Sequence, residues 1–405
     1  MANKKAKYVI TNSERATAAC PQKWLLRYGL GLRPVGRIRV FDLGSLVHAG
    51  LEHYFGTPNL QRSETDLERA LSAIDAYRLA MTKQALESAN LSESGAGSYI
   101  DPALIDGLAE DAATAKRLVA SYHEFWNPMH TEGEEWEVVA VEGTYSAQIS
   151  NTDGKRLNGI DFAGKVDMVV KYHDRIFIVE HKTTAGSATE WIEKNRRNPQ
   201  TRSYAWLLRQ NGIDVDGVIY DIIQSKPPKL ASELPRLKDG TRLAKTTGLP
   251  WTNADEFYKA IHMNGGNMDS AEWYYDTWLE LTKRDALGFW FNRYTELFDE
   301  SEITRVQSEI YQSALQMRKW KQVSDKWHLY RNGHIAGENV QIWAERTLAL
   351  PEADTFVRQS AMCWQYNRLC EYAALCSTHN RLDAYGFTVA ANGGHTELNL
   401  AERKK

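Results

Sequence analysis

Cysteine is scarce in this chain: Cys20, Cys363, Cys370 and Cys376 are all that its 405 residues contain. So few thiols exclude a disulfide framework as the source of the fold. Positive charge is not in excess either. Lys and Arg number 49 against 52 Asp and Glu, a net charge of -3, so any phosphate-binding face has to be a local patch. No apolar run reaches the roughly 20 residues that span a bilayer, and the polar start "MANKKAK" carries no signal-peptide pattern. A soluble, cytoplasmic protein without a membrane partner is expected. The phosphate-loop pattern G-x-x-x-x-G-K-[ST] is missing, which excludes a built-in nucleotide-driven motor of that type. Internal repeats and low-complexity tracts are absent as well.

What is present suits a large core: 43% apolar residues with many Trp and Tyr. "CPQKWLLRYG" reads as a helix ended by Gly29 and Gly31, and "FDLGSLVHAGLEHYF" as a second, capped by Asp42 or Ser45. Residues 63–128 have helical spacing with a break at "SESGAG". The pattern then changes to strands at "EWEVVAVEGTYSAQI", "GIDFAGKVDMVVKY" and "IFIVEHKTT". One or two helices follow in residues 189–212, then a strand in "VDGVIYDIIQSKPP" that ends before two prolines. Strand, strand, strand, helix, strand predicts an α/β core of mixed pairing. Residues 226–249, polar and Lys-rich, read as a long loop or lid. "NADEFYKAIHMNGG" and "SAEWYYDTWLELTKRD" read as helices, "GFWFNRYTEL" as a strand, and "SEITRVQSEIYQSALQMRKWKQ" as a strong amphipathic helix.

"FIVEHKTT" raises the chemical question, because an apolar strand ends on Glu180, His181 and Lys182. Alternate strand residues share a face, so Glu180 and Lys182 point one way and the His181 side chain the other, with its main-chain carbonyl free to coordinate. The preceding strand carries Asp167, and antiparallel pairing brings it beside Glu180. Two adjacent carboxylates repel unless a cation sits between them; hard oxygen donors suit Mg²⁺ or Mn²⁺, and such an ion activates water and stabilises phosphoryl charge. The plain alternative is an edge salt bridge between Glu180 and Lys182. Gln200 and Tyr204 fall on one helical face, among Lys194, Arg196, Arg197 and Arg202; the plain alternative there is a solvated face. His48 sits among apolar neighbours, where a lone His is ordinarily a core residue, although neutral imidazole is an acceptable ligand.

Four short motifs stand in one order: G-x-x-x-H at Gly44 and His48, G-x-V-D at Gly164 and Asp167, E-x-K at Glu180 and Lys182, and Q-x-x-x-Y at Gln200 and Tyr204. Their order resembles the RecB-like branch of the PD-(D/E)XK nuclease superfamily, over residues 17–226. The resemblance implies a restriction-endonuclease-like α/β fold, a mixed central sheet flanked by helices. It implies that His48, Asp167, Glu180 and the His181 carbonyl hold the metal, that Lys182 is catalytic, and that Gln200 and Tyr204 position the strand being cut. Glu142, on the strand before, helps to shape the site. Lys194, Arg196, Arg197 and Arg202 are the expected DNA-binding cations, with the Lys-rich segment 226–245 as the rival patch. Tyr204 offers a ring for base stacking or a hydroxyl for phosphate.

A subset of these nucleases ligates a [4Fe–4S] cluster through one cysteine ahead of the His helix and three near the C-terminus. Cys20 and the C-x6-C-x5-C run of Cys363, Cys370 and Cys376 resemble that set, and no cysteine is left over. Thiolates in a set of four select iron–sulfur or zinc; the resemblance favours iron–sulfur, joining the two ends of the chain. The whole implies one nuclease domain, 1–405, with the first cysteine and His helix at 17–60, a helical insertion at 61–130, the catalytic core at 136–226, a loop and helical insertion at 227–350 and the cysteine segment at 351–385. The expected activity is metal-dependent DNA hydrolysis, an exonuclease similar to phage-encoded, CRISPR-adaptation and AddB-type relatives, with any helicase a separate partner. The alternatives are a structure-selective endonuclease, a catalytically quiet iron–sulfur DNA-binding subunit, and a zinc-clipped enzyme for small phosphoesters. RNA stands open as a substrate.

Overall fold

The computed structural model describes residues 8–34, 39–56, 62–90, 102–126, 136–195, 198–238, 240–263, 265–334, 356, 358–365, 368–373, 376 and 387–389. A short strand β1 (Tyr8–Ile10) leads into helices α1 (Asn12–Thr17) and α2 (Pro21–Trp24), the latter continued by a π-helical turn, Leu25–Gly29. Strand β2 (Leu32–Pro34) precedes three helices, α3 (Arg39–Tyr54), α4 (Glu64–Asn90) and α5 (Pro102–Trp126). Then come β3 (Glu137–Ser150), β4 (Arg156–Tyr172), β5 (Arg175–Thr184), α6 (Ala188–Asn195), α7 (Pro199–Gln210) and β6 (Gly217–Gln224). After α8 (Ala254–His262) and α9 (Trp273–Ala286) come β7 (Phe291–Leu297) and the long α10 (Glu300–His334). The C-terminal part holds β8 (Trp364–Gln365), β9 (Arg368–Leu369) and β10 (Phe387–Val389).

Six strands form one mixed sheet in the order β1-β4-β5-β6-β7, with β3 on the other side of β4. The expected α/β core is therefore present. β5 and β6 run parallel, while β4–β5 and β6–β7 are antiparallel. Every residue of β6 is buried, as befits a strand covered on both faces. On one face α7 and α10 enclose Ile178, Tyr220, Ile222, Leu207 and Ile310. On the other, α3 and α5 enclose Val179, Ile219, Leu51 and Val119. The buried side of α10 runs Ile303, Val306, Ile310, Ala314, Met317 and Trp320, the three- and four-residue steps of an amphipathic helix.

Three expectations change. Helix α3 starts at Arg39, so Asp42 and Ser45 lie within it rather than at its N-cap position. The segment read as a loop or lid after Lys226 is anchored: Ala231, Leu234 and Leu243 pack with Phe257, Ile261, Tyr274 and Leu281 in a small core of their own. The pairing of β1 with β4 adds a strand to the sheet that the sequence does not announce, since three residues give no periodicity to read. Among the described residues, no helix is long and apolar enough to cross a membrane.

Candidate active site

The ladder between β4 and β5 ends at Met168–Val179. Beyond that pair the strands part, and the His181 N–H is taken by the Asp167 carboxylate at 3.1 Å instead of by main chain. Continuing the register by one residue sets Asp167 against Glu180, so the opening carries a carboxylate on each lip. Glu180 is 1% exposed and holds Lys182 Nζ at 2.5 Å; its Oε2 is buried with no hydrogen-bond partner. This is not an edge salt bridge, because β5 lies between β4 and β6. Burial raises the Glu180 carboxyl above the ordinary range, with Asp167 adding to the rise against the opposing pull of Lys182. Burial would lower Lys182, but Glu180 and Asp167 outweigh it and raise the ammonium.

Helix α3 brings His48 to the same place, Nδ1 3.5 Å from Asp167 Oδ2 and within hydrogen-bonding reach of the His181 main chain. Burial, helped by Lys182 and His181, lowers the imidazole to about 3, so it is neutral and able to ligate. One helical turn earlier, a Cβ at Gly44 would already touch Thr183 Oγ1 at 3.4 Å, so glycine lets α3 lie close to the end of β5.

Glu142 belongs to the centre more fully than the sequence indicated. Its φ of 51° is left-handed, which a residue with a side chain adopts rarely, and it lies in a strand whose register shifts between Val138 and Ala140. The donor atoms of His48, Glu142 and Asp167 all lie within 4.8 Å of one another. Burial, then the charge of Asp167, raises Glu142 to about 7 against the ion pair it makes with Lys165. Lys165, inside the G-x-V-D stretch, is a neighbour of the centre that the motif pattern leaves unspecified.

Asn198 and Pro199 start α7, the Asn198 side chain accepting from the Gln200 N–H, the expected chemistry for a cap followed by N1 proline. Gln200 Nε2 then donates to Tyr204 Oη at 3.1 Å. The Tyr204 ring is 8% exposed and lies over Gly164, where a Cβ would come within 2.6 Å of Cε1. The ring is therefore taken up by packing rather than offered to a base. Of the expected DNA-binding cations, Arg202 is corrected, while Lys194 stays on the surface. Arg202 is buried, its guanidinium held by Glu296 at 2.9 Å and Glu302 at 3.1 Å, and Lys194 pairs with Glu190 at 2.6 Å on the helix surface. Arg196 and Arg197 lie outside the described residues.

The four cysteines also converge, against the core that holds Ile178 and Tyr204. Cys20 precedes α2 and is buried, and the Cys370 N–H donates to Cys363 O at 2.7 Å. Burial raises the Cys376 thiol to about 12, and the nearby Cys370, Cys20 and Cys363 add to the rise. Ties between the terminal segments surround them: Tyr372 Oη donates to Leu32 O at 2.8 Å, Glu371 pairs with Arg27 at 3.1 Å, and β10 pairs with β2.

The model of the PD-(D/E)XK nuclease superfamily matches residues 13–377. The chain belongs to the PD-(D/E)XK nuclease superfamily. The match takes in Cys20 and Cys376 as well as the four motifs, so this superfamily member carries its insertion between β6 and β7 and its cysteine segment within the matched span. Among solved structures it is similar to the crystal structure of SSO0001, 15% identical over 67% of this chain and 84% of that one, with a TM-score of 0.21; so slight a likeness carries no argument. No curated protein matches it.

Proposed function

We propose that the protein is a divalent-metal-dependent deoxyribonuclease, an exonuclease acting on single-stranded DNA or DNA ends. The observation that carries this reading is the meeting of His48, Glu142 and Asp167 donor atoms within 4.8 Å, beside the Glu180–Lys182 pair. Carboxylate oxygens with a neutral imidazole suit Mg²⁺ or Mn²⁺, and the buried, unpartnered Oε2 of Glu180 fits a cation nearby. His48, Asp167, Glu180 and the His181 carbonyl hold the ion, with Glu142 as a further ligand. When bound, such an ion supplies an activated water and offsets charge on the phosphate. Lys182 orients the water or steadies the developing charge. Gln200 and the Tyr204 hydroxyl position the strand being cut. The preference for ends follows from the resemblance of the motif order to exonucleases.

The test is cleavage of one single strand labelled at its 5′ or its 3′ end, with and without Mg²⁺ or Mn²⁺. Metal-dependent shortening from one end is expected. Discrete internal cuts would favour the endonuclease, and binding without cleavage the quiet subunit. Because Arg202 is engaged by Glu296 and Glu302, the rival patch gains weight. A cleft of about 730 Å³ lined by Thr183, Lys226, Lys229 and Arg117 opens next to the E-x-K strand. Removing a lysine that neutralises a phosphate should flatten the salt dependence of binding by about 0.7 on single strands, so Lys226→Ala with Lys229→Ala is the variant to measure.

The four cysteines are assigned to a [4Fe–4S] cluster. Their convergence supports a shared metal centre. Thiolates in a set of four suit iron–sulfur or zinc, and the resemblance of the cysteine arrangement favours iron–sulfur. Anaerobically purified protein should be brown, with iron and sulfide; zinc without iron would overturn the assignment.

A further inference from the structure

Behind the E-x-K strand, on the face opposite the Glu180 and Lys182 side chains and beside the His48 ring, three neighbouring strands contribute one row of charged side chains. The register sets His181 beside Asp221 and Asp221 beside Arg293. His181 Nδ1 is 2.9 Å from Asp221 Oδ2, which also accepts from Tyr122 Oη at 2.5 Å. Arg293 Nε lies 3.6 Å from Asp221 Oδ1, and its NH2 donates to Tyr122 Oη at 2.9 Å. The guanidinium is enclosed by aromatic rings, 3.7 Å from the centroid of Trp126 and 4.0 Å from that of Trp136. Asp221 is completely buried. The His181 ring is stacked on Phe55 at 5.7 Å.

A buried ion pair is a weak source of stability, since desolvation offsets the attraction and apolar replacements of similar size are often as stable or more so. What this row does hold is one side chain, His181, whose peptide carries Glu180 and Lys182 on either side and donates to Asp167. Outer partners of a metal site orient its ligands, and losing one typically weakens metal affinity or activity by about 10–100-fold. We propose that Asp221, Arg293 and Tyr122 are positioning residues that lock His181 from behind and thereby aim the Glu180–Lys182 peptide at the metal. This rests on the reading of the acidic centre as a divalent-metal site.

The test measures Mn²⁺ binding to the full chain by titration calorimetry without nucleic acid, alongside thermal unfolding in chelator. Asp221→Asn should weaken Mn²⁺ binding at least about tenfold. The double variant Asp221→Leu with Arg293→Leu removes both charges together; it should still fold, since no uncompensated charge is left buried, and bind Mn²⁺ at least about tenfold more weakly. Tyr54→Phe, which loses a bond to His123 in the same core, should lower the unfolding temperature and leave Mn²⁺ affinity unchanged. Should the double variant fail to fold, Tyr122→Phe keeps the shape and should weaken Mn²⁺ binding several-fold. A folded double variant, or in its place a folded Tyr122→Phe, with wild-type Mn²⁺ affinity overturns the positioning role alone. Wild-type protein that binds no Mn²⁺ overturns the metal reading along with it.

Discussion

The acidic centre and the cysteine seam both gather side chains from far apart in the chain, yet they are held in different ways. Asp167, Glu180 and Lys182 stand on long strands inside the sheet, and His48 on a helix of 16 residues. Their places are set by ladders and by two cores, whatever binds between them. Cys20 precedes a four-residue helix, and the other three lie in a segment whose strands have two residues each. Few ladder bonds secure that segment, so a metal body that the thiols ligate would contribute directly to folding. On the proposed reading, one region is arranged for its ligand, and the other would be arranged largely by it.

The sharpest way to break this comparison is to disable each region and watch the other property. Asp167→Ala or Glu180→Ala should lower metal-dependent cleavage by roughly three orders of magnitude, the scale of losing several kcal/mol of charge stabilisation. The unfolding temperature in chelator should hold, because Glu180 is a buried carboxyl with an unpartnered oxygen. A large fall in that temperature would mean that the acidic centre, too, is a structural clip. Lys182→Ala should lose turnover and keep Mn²⁺ binding, as measured by calorimetry; affinity lost to the degree seen for Glu180→Ala would make it part of the ion's support.

Cys20→Ser and Cys376→Ser should each destabilise the protein by about 4 kcal/mol, the size associated with losing a metal site, and free the terminal segments to protease. Equal stability of variant and wild type would remove the seam from the fold's foundations. Gly164→Ala sharpens the contrast from within the sheet. Its Cβ would sit 2.6 Å from Tyr204, so overpacking should cost about 1–3 kcal/mol and slow cleavage through displacement of Tyr204, with Mn²⁺ binding retained. Tyr204→Phe should have the smallest effect, about 1 kcal/mol for the bond to Gln200, with reduced turnover and a nearly unchanged salt slope of DNA binding.

Legibility follows the range of the interaction. The strand that ends on Glu180 and Lys182 reads directly, because a period of two puts them on one face, and Pro199 after Asn198 marks the start of α7 by local chemistry alone. Arg202 reads wrongly. In its own neighbourhood it is one of several surface cations, and only Glu296 and Glu302, about a hundred positions later, turn it inward. Glu142 reads weakly, since no residue type announces a left-handed position within a strand. Asp221 and Arg293 do not read at all: Asp221 is a lone charge in an apolar strand, and Arg293 is one polar residue among several in its own.

The sequence by itself determined the longer elements, the four motifs and their order, and the assortment of four thiols at two ends, because helix and strand periodicity are properties of neighbours. The tertiary structure alone decided where the β4–β5 ladder stops, that Glu142 joins His48 and Asp167, that Arg202 is neutralised, and that Asp221 and Arg293 stand behind His181. These depend on which strand lies beside which and in what register, and such pairings are set by burial of the whole sheet between two helical layers rather than by any local pattern.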